Sequence, residues 1–218
     1  MVQTNDIGIW FKKQLNLDSI VIPNPINIEG ESGRKFKEKT IYACGRLVPQ
    51  KGFSGLLEIF AELKEASEWK LRLLGDGIER ESLSQRAREL GIEEKVIFEG
   101  SVKNPVDYYS LGGVFAFTSE YEGFPNALCE AMASGMAVVS FDCPSGPSDL
   151  IQDGVNGFLV KAGDKESFQV KLEKLLKDEK LRLKLGKEAA KVKEDLAIEK
   201  IAEQWIALRD RQIMMINH

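Results

Sequence analysis

Histidine is almost missing from this chain: the one copy, His218, is the last residue and reads as tail, not as a general base. Cysteine is scarce as well. Cys44, Cys129 and Cys143 are odd in number and make no CxxC pair, which speaks against a disulfide framework or a zinc site. Their apolar neighbours make them small core residues. No signal-peptide pattern occurs, and no apolar run approaches the ~18 residues of a spanning helix. The expectation is a soluble cytoplasmic chain with at most peripheral contact at the inner face of a membrane. Lys+Arg 30 against Asp+Glu 34 leaves a net charge of −4, which argues against a general nucleic-acid binder. A Walker loop (GxxxxGK followed by Ser or Thr) and GxGxxG are both absent, so a bound phosphate would need another kind of cradle.

At 218 residues the chain has room for one large domain or two small ones, and it should bury roughly 70% of its unfolded surface without staples. TIYACG (40–45), LRLLGD (71–76), KVIFEG (95–100), VFAFTS (114–119), AVVSFD (137–142) and the shorter GFLV (157–160) are apolar runs of strand length. Continuous apolar runs suit strands covered on both faces. Between them, Leu56, Leu57, Phe60, Ala61 and Leu63 make one helical stripe, and Leu83, Ala87 and Leu90 another. The alternation predicts an α/β fold: a Rossmann-like parallel sheet of about six strands with helices on both faces. After residue 163 the pattern is helical only, through Phe168, Leu172, Leu175 and Leu176, then Leu181, Leu185, Ala189 and Val192, to the terminal IAEQWIALRDRQI. Charged residues between those stripes are expected on solvated faces. Residues 1–39 differ: they hold one short strand candidate, SIVI, two X-Pro pairs that favour extended chain, and a charged Gly/Ser-containing loop. They resemble an interdomain segment and linker leading into a domain at 40–218.

In an open parallel sheet, ligands bind beyond the carboxyl ends of the strands. Collecting the residues at those ends brings out two stretches. GRLVPQKG places Arg46 and Lys51 between a strand and a helix N-terminus, where free N–H groups and a partial positive charge favour an anion; two solvated loop cations are the plain alternative. SEYEGFPNALCEAMASG (119–135) leaves a strand, passes Glu122 and a Gly-Phe-Pro-Asn turn, and puts Glu130 about one turn into the next helix. Pro125 fits a first helical turn and Asn126 a capping position. A helix-dipole effect at Glu122 and a solvent-facing Glu130 would also account for the pattern, but the small apolar neighbours of Glu130 point it into a packed place where it needs donors. Two cations, a helix N-terminus and two separated carboxylates suit a nucleoside diphosphate sugar.

GRLVPQKG, LLGDG, VIFEG, SEYEGFPNALCEAMASG and SFDCPSGPSDLIQDGVNGFLV together resemble the nucleotide-sugar-binding domain of retaining glycosyltransferases of family 4, from about Ile20 to residue 205. The E-x7-E pair Glu122/Glu130 is the most specific mark, and CPSGPSDLI resembles bacterial enzymes of lipopolysaccharide and capsule synthesis. The resemblance implies one half of a GT-B fold, with 40–218 as the donor domain and an N-terminal acceptor domain absent. It implies Arg46 and Lys51 on the diphosphate, beside Gly45, Glu122 on the donor sugar, and Glu130 on the ribose. The backbone of Gly123, Phe124, Pro125, Asn126 and Ala127 would line sugar and phosphates, and Val102 and Lys103 would sit near the base. The catalytic set is then Glu122, Arg46 and Lys51.

No metal and no cofactor are expected, since no DxD motif occurs; the donor, a UDP-sugar by likeness, is a substrate. The implied reaction moves a hexose or N-acetylhexosamine, with retention, to a glycan or lipid-linked acceptor, and this chain alone would be inactive. A non-catalytic nucleotide-sugar-binding module, or a half-enzyme needing a partner, is the rival reading; an epimerase of the same fold ranks below it. A glycosidase would use two carboxylates but gives no reason for Arg46 and Lys51.

Overall fold

A computed structural model of the protein describes residues 1–26 and 39–216. The charged loop expected after Pro25 lies mostly outside them, as does His218. Six strands, β1 (Thr40–Cys44), β2 (Lys70–Leu74), β3 (Val96–Gly100), β4 (Val114–Phe117), β5 (Ala137–Asp142) and β6 (Phe158–Lys161), form one sheet in the order β3-β2-β1-β4-β5-β6. Every neighbouring pair is parallel, with Ile41 opposite both Leu71 and Val114 and Val139 opposite Phe158. The six apolar runs therefore all become strands.

Side chains alternate across a strand, and here both faces find cover. Ile41, Ala43, Leu71, Leu73, Val114, Ala116 and Val139 pack with α2 (Phe53–Glu62), α3 (Arg80–Glu89), α7 (Lys165–Lys177) and α8 (Glu179–Ala189). Tyr42, Leu74, Phe115, Phe117 and Val138 face the other way, toward α4 (Pro105–Tyr109) and α5 (Asn126–Ala133). Short helices α6 (Pro147–Leu150) and α9 (Val192–Asp195) and the long α10 (Ile198–Ile216) complete the element order. Asp164 and Asp178 cap α7 and α8 by accepting from Ser167 N (3.0 Å) and Leu181 N (2.9 Å).

One expectation needs correction. The helical tail does not carry all its charges on solvated faces. Arg182 is buried, donating to the carbonyls of Leu175 (2.6 Å) and Leu176 (3.0 Å) at the end of α7, with its guanidinium 5.2 Å from the Trp69 ring centre. At the start of the chain, Asn5–Leu15 forms α1, closed by Asn16 in the left-handed region at φ 52°. Ile7, Phe11 and Leu15 recur along it at helical spacing, yet none of its residues is buried. Of SIVI, Val21 alone makes a bridge, parallel to Val2, while Ile26 bridges Ala197.

Candidate functional site

The strand order reverses direction between β1 and β4, and the crevice outside such a switch point is where open α/β sheets take ligands. The two sequence-selected stretches leave the sheet there side by side. Residues 45–52 follow β1, residues 118–125 follow β4, and the loops are stitched together. Glu120 N donates to Gln50 O (2.8 Å), Gln50 Nε2 to Tyr121 O (2.7 Å), and Thr118 Oγ1 to Lys51 O (2.9 Å). Gly52 makes this approach feasible: it sits at φ 66°, and a Cβ there would lie 2.3 Å from the Thr118 carbonyl oxygen. The loop after β5 joins as well, Pro144 O accepting from Glu122 N at 3.2 Å.

Lys51 and Glu122, expected on phosphate and sugar, meet each other. Lys51 Nζ lies 2.5 Å from Glu122 Oε1, with side chains 15% and 8% exposed. The lysine stem crosses Gly45, whose missing Cβ would stand 3.1 Å from Lys51 Cε. Arg46 is exposed, and its guanidinium has no hydrogen-bonding or ion-pair partner among the described residues. One cation is thus held and the other left available.

The Gly-Phe-Pro-Asn turn is anchored by Phe124, which is buried with Ile26, Cys129, Ala133 and Leu196. Asn126 does not cap α5. The helix begins at Asn126 itself, with Pro125 preceding it, and the Asn126 side chain accepts from Asn24 Nδ2 at 3.2 Å. No side chain caps α5; the Asn126 N–H donates to Phe124 O at 2.9 Å, which leaves the N–H groups of Ala127 and Leu128 available to a ligand. Gly123 is exposed, and Ala127 is half-buried. Glu130 lies within the first turns of α5 as expected. Burial holds its carboxyl above the ordinary range, and among the described residues it has no hydrogen-bond or ion-pair partner. Val102 packs against the same apolar cluster as Cys44 and Ala127, and Lys103 stands exposed beside it.

Residues not selected from the sequence also border the crevice. Ser145 adopts φ 74°, rare for a residue other than glycine, and its N–H donates to Asp6 Oδ2 at 3.2 Å; Asn5 N donates to Asp149 Oδ2 at 2.8 Å. The start of α1 therefore reaches the loop after β5. Burial raises all three thiols, which fits inert core cysteines. Among the described residues no group of three or more His, Cys, Asp or Glu side chains could hold a metal ion, and no helix is long and apolar enough to cross a membrane.

Comparison with known proteins decides the family. The family profile described as "Glycosyl transferases group 1" matches residues 26–192. The chain belongs to the group 1 glycosyl transferases. An uncharacterized glycosyltransferase of Haemophilus influenzae is 34% identical over 194 residues, 88% of this chain and 55% of its own length. The lipopolysaccharide 1,6-galactosyltransferase of Escherichia coli is 33% identical over 184 residues, 82% of this chain and 48% of that protein. A crystal structure of a Staphylococcus aureus TarM mutant with fondaparinux, alpha-GlcNAc-glycerol and UDP superposes with TM-score 0.89 at 26% identity, covering 95% of this chain and 43% of that one. The fold is the Rossmann-like half of a GT-B glycosyltransferase, and this group 1 chain spans about half the length of the curated relatives it matches.

Proposed function

We propose that this chain supplies the donor-binding half of a retaining glycosyltransferase. It would move a hexose or N-acetylhexosamine from a UDP-sugar to a glycan or lipid-linked acceptor. The observation that carries the reading is the joined pair of loops at the β1/β4 switch point, which presents Arg46, Lys51, Glu122 and the uncapped end of α5 to one crevice. In this reading the diphosphate rests on Arg46, Lys51 and the free N–H groups of α5. Glu130 accepts from the ribose, Glu122 from the sugar, and Val102 and Lys103 flank the base. Transfer breaks the bond from the anomeric carbon to the phosphate oxygen, and the departing charge grows beside the two cations, Lys51 held by its loop and Arg46 free to reach it. A charge pair at 4 Å is worth about 4 kcal/mol at an effective dielectric near 20, so losing one cation costs roughly 10²-fold or more in rate.

An acceptor half of similar size completes the enzyme in this reading, with residues 1–39 as the segment between the halves and 40–218 as the donor unit. Two features support it: the matched relatives are about twice as long, and Trp10 and Leu17 near α1, with Trp205 and Ile206 on α10, stay exposed. The same features support the second reading, a half-enzyme that binds nucleotide sugar and works only with a partner. Assaying transfer with and without a supplied acceptor half separates the two.

Calorimetric titration with UDP, GDP and ADP, and then with their sugars, tests the donor assignment. Arg46→Ala or Lys51→Ala should weaken UDP binding more than uridine binding; equal losses for both ligands count against it.

A further inference from the structure

Two side chains from the start of the chain form a relay to the first residue of α5. Gln3 Nε2 donates to Asn24 Oδ1 at 2.6 Å, and Asn24 Nδ2 donates to Asn126 Oδ1 at 3.2 Å, between residues 102 apart in sequence. The backbone that carries Gln3 and Asn24 is itself fastened. Val2 N donates to Ile20 O (3.0 Å), Ile22 N to Val2 O (2.9 Å) and Ile26 N to Leu196 O (2.9 Å). Asn5 N and Nδ2 donate to Asp149 Oδ2 (2.8 Å) and Oδ1 (3.0 Å). Gln3 and Asn24 are half-buried, while Asn126 is exposed.

An amide accepts through its oxygen and donates through its nitrogen. Asparagine at a helix start ordinarily turns its oxygen onto the N–H groups of the first turn. Here Asn24 takes that oxygen. The N–H groups of Ala127 and Leu128 stay open, and Asn126 Nδ2, with no partner among the described residues, is left to donate elsewhere. A further donor matters at this helix end. Pro125 has no N–H, and the Asn126 N–H is bound to Phe124 O at 2.9 Å. The side-chain nitrogen restores a donor beside the positive pole of α5, where an anion is favoured.

We propose that Asn24 is a positioning residue: it holds the oxygen of the Asn126 amide, so that the amide nitrogen donates to the diphosphate. The proposal rests on the reading that the diphosphate lies at this end of α5.

The test titrates UDP and uridine by calorimetry into wild type, Arg46→Ala, Asn126→Ala, Asn24→Ala and the double variant Asn24→Ala/Asn126→Ala, with thermal unfolding of each. Asn126 is exposed, so Asn126→Ala should unfold close to the wild-type temperature. It should bind UDP roughly tenfold more weakly, the loss of one hydrogen bond to a charged group, with uridine affinity unchanged. Asn24→Ala should weaken UDP in the same direction by a smaller factor, since the freed amide still visits the right orientation. The double variant should bind UDP as Asn126→Ala does, because Asn24 acts only through Asn126. Unchanged UDP affinity in Asn126→Ala, or equal losses for UDP and uridine in either single variant, overturns the proposal. Losses that add in the double variant overturn the positioning role of Asn24. If Arg46→Ala weakens UDP more than uridine while Asn126→Ala does not, this proposal alone fails. If neither does, the diphosphate reading fails and takes the proposal with it.

Discussion

Replacing Lys51 by methionine removes one partner of the ion pair and keeps the apolar stem across Gly45. The pair is short, at 2.5 Å, and its side chains are 15% and 8% exposed. Truncating one member of a fully buried pair costs about 3–5 kcal/mol, because the other charge stays behind. Some solvent still reaches this one, so the low end, about 3 kcal/mol, is the figure to expect. For a chain of this size that corresponds to a fall of roughly 6–12 °C in Tm. Glu122→Gln should cost less, since the lysine is the more exposed partner and sits on a flexible stem that can reach water. The double variant Lys51→Met/Glu122→Gln buries no charge and should recover most of the lost stability. Urea and thermal unfolding of all four proteins give the coupling energy by a double-mutant cycle. UDP binding should follow a different order, staying weak in the double variant because the phosphate-facing charge is gone. A Lys51→Met protein as stable as wild type, or a double variant that recovers nothing, would refute the reasoning.

Glu130 gives a pH prediction. Burial raises its carboxyl above the ordinary value of 4.5, so the folded chain holds this proton more tightly than the unfolded chain. The resulting stability is full below the unfolded pKa and lost as pH rises through the folded one. Glu130→Gln should therefore be more stable than wild type at pH 7, with the difference closing toward pH 4; a constant difference contradicts this. Gly52→Ala meets the Thr118 carbonyl at 2.3 Å and holds alanine at φ 66°, which together should cost about 3 kcal/mol in urea unfolding and disturb the Lys51 loop. Arg182→Met leaves the Leu175 and Leu176 carbonyls without their donor, for a loss of roughly 2–4 kcal/mol; an unchanged Tm would show that bond to be unimportant.

The sheet was legible because its strands are covered on both faces. Ile41, Tyr42 and Ala43, or Val114 to Phe117, must then all be apolar, and such runs stand out between helical patterns. The crevice was legible because charged and small residues follow directly on those runs. What could not be read was which polar group each side chain would choose. Lys51 pairs with a glutamate 71 residues away, and Asn126 turns from its own helix to Asn24. Neither choice leaves a periodic mark. Arg182 looked like any surface charge until the end of α7 came to lie against it. Helix α1, whose residues are all outside the core, sits within a stretch where two X-Pro pairs and a charged loop point to extended chain.

The most direct measurement is a crystal structure of the chain with UDP bound. The pyrophosphate should lie over the sheet rim between Arg46, Lys51 and the free N–H groups of α5, with Lys51 drawn from Glu122 toward phosphate and Glu130 within hydrogen-bond distance of the ribose. A nucleotide seated elsewhere, or bound here with Arg46 and Lys51 turned away from its phosphates, would contradict the account.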